Sequence, residues 1–414
     1  MGVNALFGGG CSHFPGRERP GYGYPSPMRL KEPVTQGLYF RRKARGSKDS
    51  IAQGFSPENE ATNKPGRLRP VQTFPFCYFC LQNKNCMNNF WKDLPKPAFT
   101  LAPMEDVTDT TFRQLLMEIS DPEFFHVVFT EFTSTDGMCH PVGRPNVISR
   151  LRVSDSEREL LRKTGIKLVA QIWGANPEKY YQSVKFICEE FDFDGIDINM
   201  GCPVKKIVKQ GTCSALIGQN QLVAEIIQAT KEASCVPVSV KTRTGIKQHI
   251  TEDWIGHLLE QDLAAITLHC RTQKDQSEAP ADWNEITKAV NVRDSSGKDT
   301  PLYGNGDVIS VEDALVKCEQ TGADGVMVGR GIFHNPWFFN HPQIEISTQQ
   351  KLDLLWRHVD LFTETWGSEK HFAILKRFFK IYTNSFYGAG HLRAQLMETN
   401  SAGEVRAVID AFES

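Results

Sequence analysis

Residues 199–206 read NMGCPVKK and complete the run that begins FDFDGIDI. Pro203 has no N–H and fixes its own φ, so it cannot continue a central strand. Gly201 lets the backbone turn or lets a ligand approach closely. The thiol of Cys202 is therefore held on a rigid corner at a strand end, where it can serve as a proton donor or sit as an inert small apolar group. Other chemistry-bearing residues end similar apolar runs: Gln171 in KLVAQIW, Asn199 in GIDINM, Lys241 and Arg243 in VPVSVKTR, His269 and Arg271 in AAITLHCR. Two runs end in turns, Asn305-Gly306-Asp307 and Gly329-Arg330, and another ends Ala102-Pro103-Met104. Backbone N–H groups of Gly306, Asp307, Gly329 and Arg330, with the Arg330 guanidinium, are suited to a phosphate. Lys241, Gln171 and Asn199 would then face a flat polar ring, the lysine stabilising negative charge on a reduced flavin. No carboxylates and histidines in this set have metal-ligand spacing, so no metal is expected.

These residues need elements that bring them to one place. The strand candidates are FTLAPM, VVFTEF, KLVAQIW, GIDINM, VPVSVKTR, AAITLHCR, PLYGNGD and DGVMVGR. Helical patterns fall between several of them, at 178–190, 221–233, 253–261 and 311–321. Near-continuous apolar strands alternating with helices specify a parallel sheet covered on its outer face. Eight such units over about 240 residues match an α/β fold of the (β/α)8 TIM barrel type, whose active site is built at the C-terminal strand ends. An open doubly wound sheet would want a glycine-rich turn after its first strand, and LAPMEDVTD is not one. From about Thr348 the strands stop and three stretches read at helical period. The expected organisation is a barrel over 89–345 and a small C-terminal all-α domain over 346–414. Each strand-end residue also has a plain structural reading: Gln171 and Asn199 can cap strands, and His269 can be a satisfied core histidine. Polar donors at six successive strand ends on one face are what that reading does not predict.

Composition bounds the rest. The chain has 414 residues and a formal net charge of −2, which excludes a globally basic nucleic-acid binder while leaving local patches open. No run approaches the roughly 18 apolar residues that span a membrane. Eleven cysteines, those from Cys139 to Cys318 without framework spacing, suit reduced thiols in the cytoplasm. Residues 1–88 differ in texture from the rest of the chain. The stretch 1–70 carries 12 Lys+Arg against 5 Asp+Glu, is rich in Gly and Pro, and reads as disordered. Met87 is a second plausible start. Cys77, Cys80 and Cys86 contain a C-x-x-C pair, but a second pair and a fourth ligand are missing, so metal binding is not expected.

The segments LAPMEDVTDTTFR, TEF, QIWG, INMGCPVKKIVKQG, SVKTRTG, HCRT, ADW, YGNGD, GVMVGRG and LRAQLMET run in one order from about Phe90 to the end. Together they resemble the FMN-dependent tRNA-dihydrouridine synthases, and NMGCPVKKIVKQG is most similar to the bacterial, D-loop-modifying branch. The resemblance implies that NADPH reduces FMN, that the flavin passes hydride to C6 of a tRNA uridine, and that Cys202 gives a proton to C5. An ordinary free thiol, with a pKa of about 8.5, would be mostly protonated at neutral pH and available as that acid. It further implies that Ala102, Pro103, Met104, Gln171, Lys241, His269, Asn305, Gly306, Asp307, Gly329 and Arg330 bind FMN. Asn199 and Arg271 would position the uracil, which must leave its stack to be reached. Lys205, Lys206 and Lys209, and Lys376, Arg377 and Lys380 in the helical domain, would contact tRNA, although such charge runs are often only a solvated face. The family implies a monomer.

The chain departs from the family pattern at Cys213, where small residues are usual, at Cys270, and in the acidic stretch holding Asp275 and Glu278. Cys213 is expected to pack, and Cys270, if its side chain points along the strand side, need not touch the flavin. The acidic loop is expected to weaken tRNA affinity rather than alter the fold. Two other readings stay open: an FMN barrel acting on free pyrimidines, like dihydroorotate dehydrogenase, and an RNA-binding protein without turnover.

Overall fold

The structure, a computed structural model, describes residues 88–413. The expectations for the N-terminal extension and for Cys77, Cys80 and Cys86 lie outside the described residues. Nine strands follow in chain order: β1 Ala98–Leu101, β2 Val127–Phe129, β3 Thr133–Ser134, β4 Lys167–Trp173, β5 Gly195–Met200, β6 Val238–Arg243, β7 Ala265–His269, β8 Leu302–Asn305 and β9 Gly325–Val328. All pairings are parallel, and β1 bonds to β9 while β2 bonds to β4, so eight strands close into a barrel. The two-residue β3 only extends the end of β4. All eight expected strands are present, and the four expected helices form within two residues of the periodicity at Pro177–Glu190, Asn220–Ala233, Thr251–Leu259 and Val311–Thr321.

Alternation along each strand sorts the side chains. Leu168, Ala170, Ile172, Ile196, Ile198, Val240, Ile266, Leu268, Val326 and Val328 point outward and pack beneath the helices in one continuous apolar core. The opposite parity fills the barrel. Its lower part is apolar: Trp91 and Phe90, from the helix Phe90–Asp93, close the bottom against Ala98, Val127, Phe129, Val169, Ala265, Tyr303 and Met327. Further up, the same parity brings in Gln171, Asp197, Asn199, Ser239, Lys241, Arg243, His269 and Asn305. Register places Asn199 opposite Lys241, Arg243 opposite His269, and His269 opposite Asn305. Paired residues in parallel strands project to the same face, so these polar groups converge at one mouth.

The chain after Ser347 is helical: Thr348–Trp366, Lys376–Tyr382, Ala389–Glu398 and Ala402–Glu413. Ser347 and Gln350 form a reciprocal capping box that starts the first of these helices. Its buried stripe of Leu352, Leu355, Val359 and Phe362 belongs to the same apolar core as the barrel's outer shell. The join is polar as well. Asp109 caps the helix Thr110–Ile119 through the N–H groups of Thr111 and Phe112. Its other oxygen accepts from Trp366 Nε1 at 2.9 Å and Lys370 Nζ at 3.1 Å. Lys370 also lies 3.4 Å from Glu131, just beyond β2. One ammonium thus ties the helical segment to two barrel loops beside the mouth. No described helix is long and apolar enough to cross a membrane.

Candidate active site

A charge is buried in the upper barrel. The Asp197 carboxylate accepts from Ser239 Oγ and from Gln171 Nε2, each at 2.6 Å. Burial outweighs these bonds and the attraction of Lys241, and raises its pKa to about 6. Gln171 Oε1 in turn accepts from Asn199 Nδ2 at 2.8 Å. Asn199 Oδ1 accepts from the backbone N–H groups of Gly201 and Cys202, both at 3.0 Å. A chain of amides therefore runs from the barrel interior to the turn that carries the thiol. That turn is held from two more sides. Arg243 Nε donates to the Gly201 carbonyl at 2.6 Å, and Ser214 Oγ donates to the Cys202 carbonyl at 2.7 Å. The Gly-Cys-Pro corner expected from sequence is rigid because three elements bind its backbone.

The Cys202 thiol is not the ordinary one assumed from sequence. Neighbouring Cys213, with the Val204 N–H and the Arg243 charge, outweighs burial and lowers the Cys202 pKa to about 7. Cys213 itself is wholly buried, and its own thiol is pushed far up. Its burial matches the expectation that Cys213 packs. Cys270 faces the outer core, and burial raises it to about 12.

Across the mouth, Lys241 Nζ donates to Asn305 Oδ1 at 2.9 Å, while Asn305 Nδ2 donates to the Met327 carbonyl at 2.7 Å. Burial, reinforced by the Arg243 charge, lowers the ammonium to about 8. His269 is driven well below its usual range by burial and then by Lys241, Arg243 and Arg271. It is neutral, and because a guanidinium can only donate, its Nε2 accepts from Arg271 Nη1 at 3.2 Å and the ring proton sits on Nδ1. Arg271 also donates to the Ala279 carbonyl and to Asp307 Oδ2, each at 2.5 Å. Arg271 thereby holds the mouth together, as Asn199 holds the Cys202 turn.

Gly306 and Asp307 both adopt positive φ, 125° and 49°. A Cβ on Gly306 would lie 2.9 Å from Ala281 Cβ and 3.2 Å from His269, so only glycine fits there. Burial alone would raise the Asp307 carboxyl. Bonds from Arg271 and the Ala281 N–H outweigh it and hold the group below its usual range. Arg330 Nη2 reaches Asp307 Oδ1 at 3.3 Å while 56% of the Arg330 side chain stays exposed. The backbone N–H groups of Gly306, Asp307, Gly329 and Arg330 donate to no described backbone acceptor. Ala102 and Pro103 are buried at the end of β1, and the Met104 N–H is taken by Thr108 Oγ1 at 3.0 Å.

The lysines divide. Lys205, Lys206 and Lys209 lie exposed on and just after the helix Lys205–Val208, with no ion pair among the described residues. In the helical segment, Lys376 Nζ donates to the Met397 carbonyl at 2.7 Å, and Arg377 reaches Asp106 at 3.3 Å. Lys380 is exposed. Asp275 caps a turn through the Thr272 N–H and hydroxyl, at 3.1 and 2.6 Å. Sequence reasoning missed Asp197, Ser239, Glu131, Asp109 and Lys370. A charged residue inside the apolar run GIDINM was a usable signal for Asp197; Lys370 and Asp109 stand 261 positions apart and gave none.

The fold and the site define a closed α/β barrel carrying a thiol, a buried lysine and a turn suited to an anion at one mouth. Residues 100–414 match the family model described as dihydrouridine synthase. A Staphylococcus aureus (strain COL) protein named probable tRNA-dihydrouridine synthase is 45% identical over 329 residues, covering 79% of this chain and 96% of that one. Probable tRNA-dihydrouridine synthase 2 of Bacillus subtilis (strain 168) is 43% identical over 328 residues, covering 78% and 97%. The chain belongs to the dihydrouridine synthase family. Among solved structures, an old yellow enzyme homologue from Zymomonas mobilis is similar at a TM-score of 0.40 and 11% identity, over 59% of this chain and 89% of that one.

Proposed function

We propose that this protein reduces the C5–C6 double bond of a uridine in tRNA, with FMN as its bound cofactor, NADPH as reductant and Cys202 as the acid. The observation that carries the reading is the placement of the Asn199-held thiol at the same mouth as Lys241 and the Gly306–Asp307 turn. The donor set suits a flavin mononucleotide. Lys241 Nζ spends one of its three hydrogens on Asn305, leaving donors for a ring carbonyl or nitrogen. Neutral His269 adds an uncharged N–H. Four unengaged backbone N–H groups and the Arg330 guanidinium suit a phosphate. Gln171 and Asn305 would orient the ring, while Ala102, Pro103 and Met104 would line it. The bound flavin would supply hydride to C6.

The chain's own residues do the rest. Cys202 delivers its proton to C5, its backbone fixed by Asn199, Ser214 and Arg243 so that the sulfur does not wander. Lys205, Lys206, Lys209 and Lys380 offer exposed positive charge to RNA phosphates, and Lys376 and Arg377 edge the same helical surface. The Lys370 clamp fixes the angle between helical segment and barrel mouth, and with it how a bound tRNA would present its uridine. The reading includes a monomeric, cytoplasmic enzyme acting on the D-loop.

The test supplies purified protein and NADPH with an unmodified tRNA transcript, free uracil or orotate, and follows NADPH oxidation and product mass. Turnover of the tRNA alone supports the reading. Turnover of the free pyrimidine alone moves the protein to a different enzyme class, and flavin reduction without any product leaves an RNA-binding protein.

A further inference from the structure

Asp197 lies inside the barrel on β5 and is almost completely buried. Register sets it between Gln171 on β4 and Ser239 on β6, with Asn199 two positions further along β5. Side chains paired across parallel strands project to the same face, so these groups meet. The two ends of the chain they form have a fixed hydrogen-bond sense. At the lower end an ionised carboxylate can only accept, and Asp197 takes Gln171 Nε2 at 2.6 Å. At the upper end the backbone N–H groups of Gly201 and Cys202 can only donate, and Asn199 Oδ1 takes both at 3.0 Å. Between them, Gln171 Oε1 accepts from Asn199 Nδ2 at 2.8 Å. Each amide thus turns its nitrogen towards Asp197 and its oxygen towards Cys202. Turning either one over would set like against like in the barrel interior, where an unpaired polar group is costly.

We propose that Asp197 is a positioning residue for proton donation: as the acceptor at the foot of this chain it fixes the orientation of the Gln171 and Asn199 amides, and through Asn199 the backbone of Cys202. The proposal rests on the reading of Cys202 as the acid. Asp197 acts through the two amides rather than on the thiol itself. Its other oxygen accepts from Ser239 Oγ at 2.6 Å, which keeps the carboxylate plane from turning. Ser239 Oγ also lies 3.5 Å from the Ile196 carbonyl, a second acceptor for its proton. Lys241, two positions beyond Ser239 on β6, favours the ionised carboxylate. The Gln171 backbone is held as well, its N–H donating to Thr130 Oγ1 at 3.1 Å. Only the side-chain torsions of Gln171 are left to set, and Asp197 sets them.

The experiment follows hydrogen exchange at the Gly201 and Cys202 amides of the full chain, by mass spectrometry with electron-transfer fragmentation, and needs neither tRNA nor turnover. Asp197→Ala removes the acceptor, and exchange at both amides quickens about tenfold. Asp197→Asn keeps exchange within about twofold of the wild type, since its oxygen can face Gln171 while its nitrogen donates to Ser239 Oγ. The amides of β8 serve as the control and keep wild-type exchange in both variants. In an Asn199→Ala background, Asp197→Ala adds nothing further, because two groups acting through one bond are not additive. Single-turnover reduction of tRNA follows the same order. Unchanged exchange in Asp197→Ala overturns the proposal, as does faster exchange spread equally over β8, the mark of a purely structural role. An Asp197→Asn variant that exchanges as fast as Asp197→Ala also overturns it, as does a further acceleration in the double variant. Undiminished product formation by Cys202→Ala would sink the acid assignment instead, and the exchange rates distinguish the two failures.

Discussion

The carboxamide oxygen of Asn199 accepts the backbone N–H of Cys202 at 3.0 Å, and that of Gly201 at the same distance. A strand-end side chain thereby sets the direction of the residue that carries the chemistry. Replacing it with alanine leaves two partly buried donors unmet, a loss of roughly 1–3 kcal/mol. Asn199→Ala is expected to retain flavin, since Lys241 and Arg330 are untouched, while single-turnover reduction of tRNA falls about 10- to 100-fold. Flavin absorbance and rapid-quench product analysis separate the two effects. A full-rate variant would remove the positioning role.

The lowered Cys202 pKa has a direct consequence for pH dependence. A proton donor works in its protonated form, and here that form predominates below pH about 7 and is depleted above it. Oxidation of the pre-reduced enzyme by tRNA should therefore slow by about tenfold for each pH unit once pH exceeds the thiol pKa. A rate that stays flat to pH 9 would contradict this assignment. The ordinary-thiol expectation would place the fall more than one unit higher.

Arg330 offers the cleanest test of the phosphate end, because more than half of its side chain is exposed and its loss does not disturb the core. Removing one charge-assisted contact to a phosphate costs about 1.5–3 kcal/mol. Arg330→Ala should weaken FMN binding about 10- to 100-fold with the melting temperature of the apoprotein unchanged. Equal FMN affinity, measured by fluorescence titration, would place the phosphate elsewhere.

Lys205, Lys206 and Lys209 carry exposed charge immediately beyond the catalytic corner. Each phosphate they neutralise contributes about 0.7–0.9 to the slope of log affinity against log salt. The triple glutamine variant should bind tRNA more weakly and with a shallower slope, by about 2 if all three make contact. An unchanged slope assigns the RNA surface to other residues, with Lys380 the next to exchange.

Much of the fold was legible because buried parallel strands have a plain signature. Each of the eight apolar runs became a strand, and Gln171, Asn199, Lys241, Arg243, His269 and Asn305 landed at the mouth through period-two alternation and parallel register. What sequence could not supply was the second partner of each polar group. Asn199 and Arg271 were legible as site residues, but their bonds to Cys202 and to Asp307 depend on loops that only the closed barrel brings together. Ser214 stands twelve residues beyond Cys202, and nothing local announces that a 3-10 turn brings its hydroxyl back to the Cys202 carbonyl. The Lys370–Asp109 clamp joins the helical segment to a barrel loop 261 positions earlier and was equally silent.

The central claim is that Cys202 protonates a tRNA uridine that has received hydride. The measurement is mass spectrometry of nuclease fragments from an unmodified tRNA transcript incubated with NADPH and FMN-loaded wild type or Cys202→Ala. The account predicts a fragment heavier by two hydrogens at a D-loop uridine with the wild type. It predicts almost none with Cys202→Ala, although that variant binds flavin and tRNA normally. The same fragment formed at an undiminished rate by Cys202→Ala would contradict it.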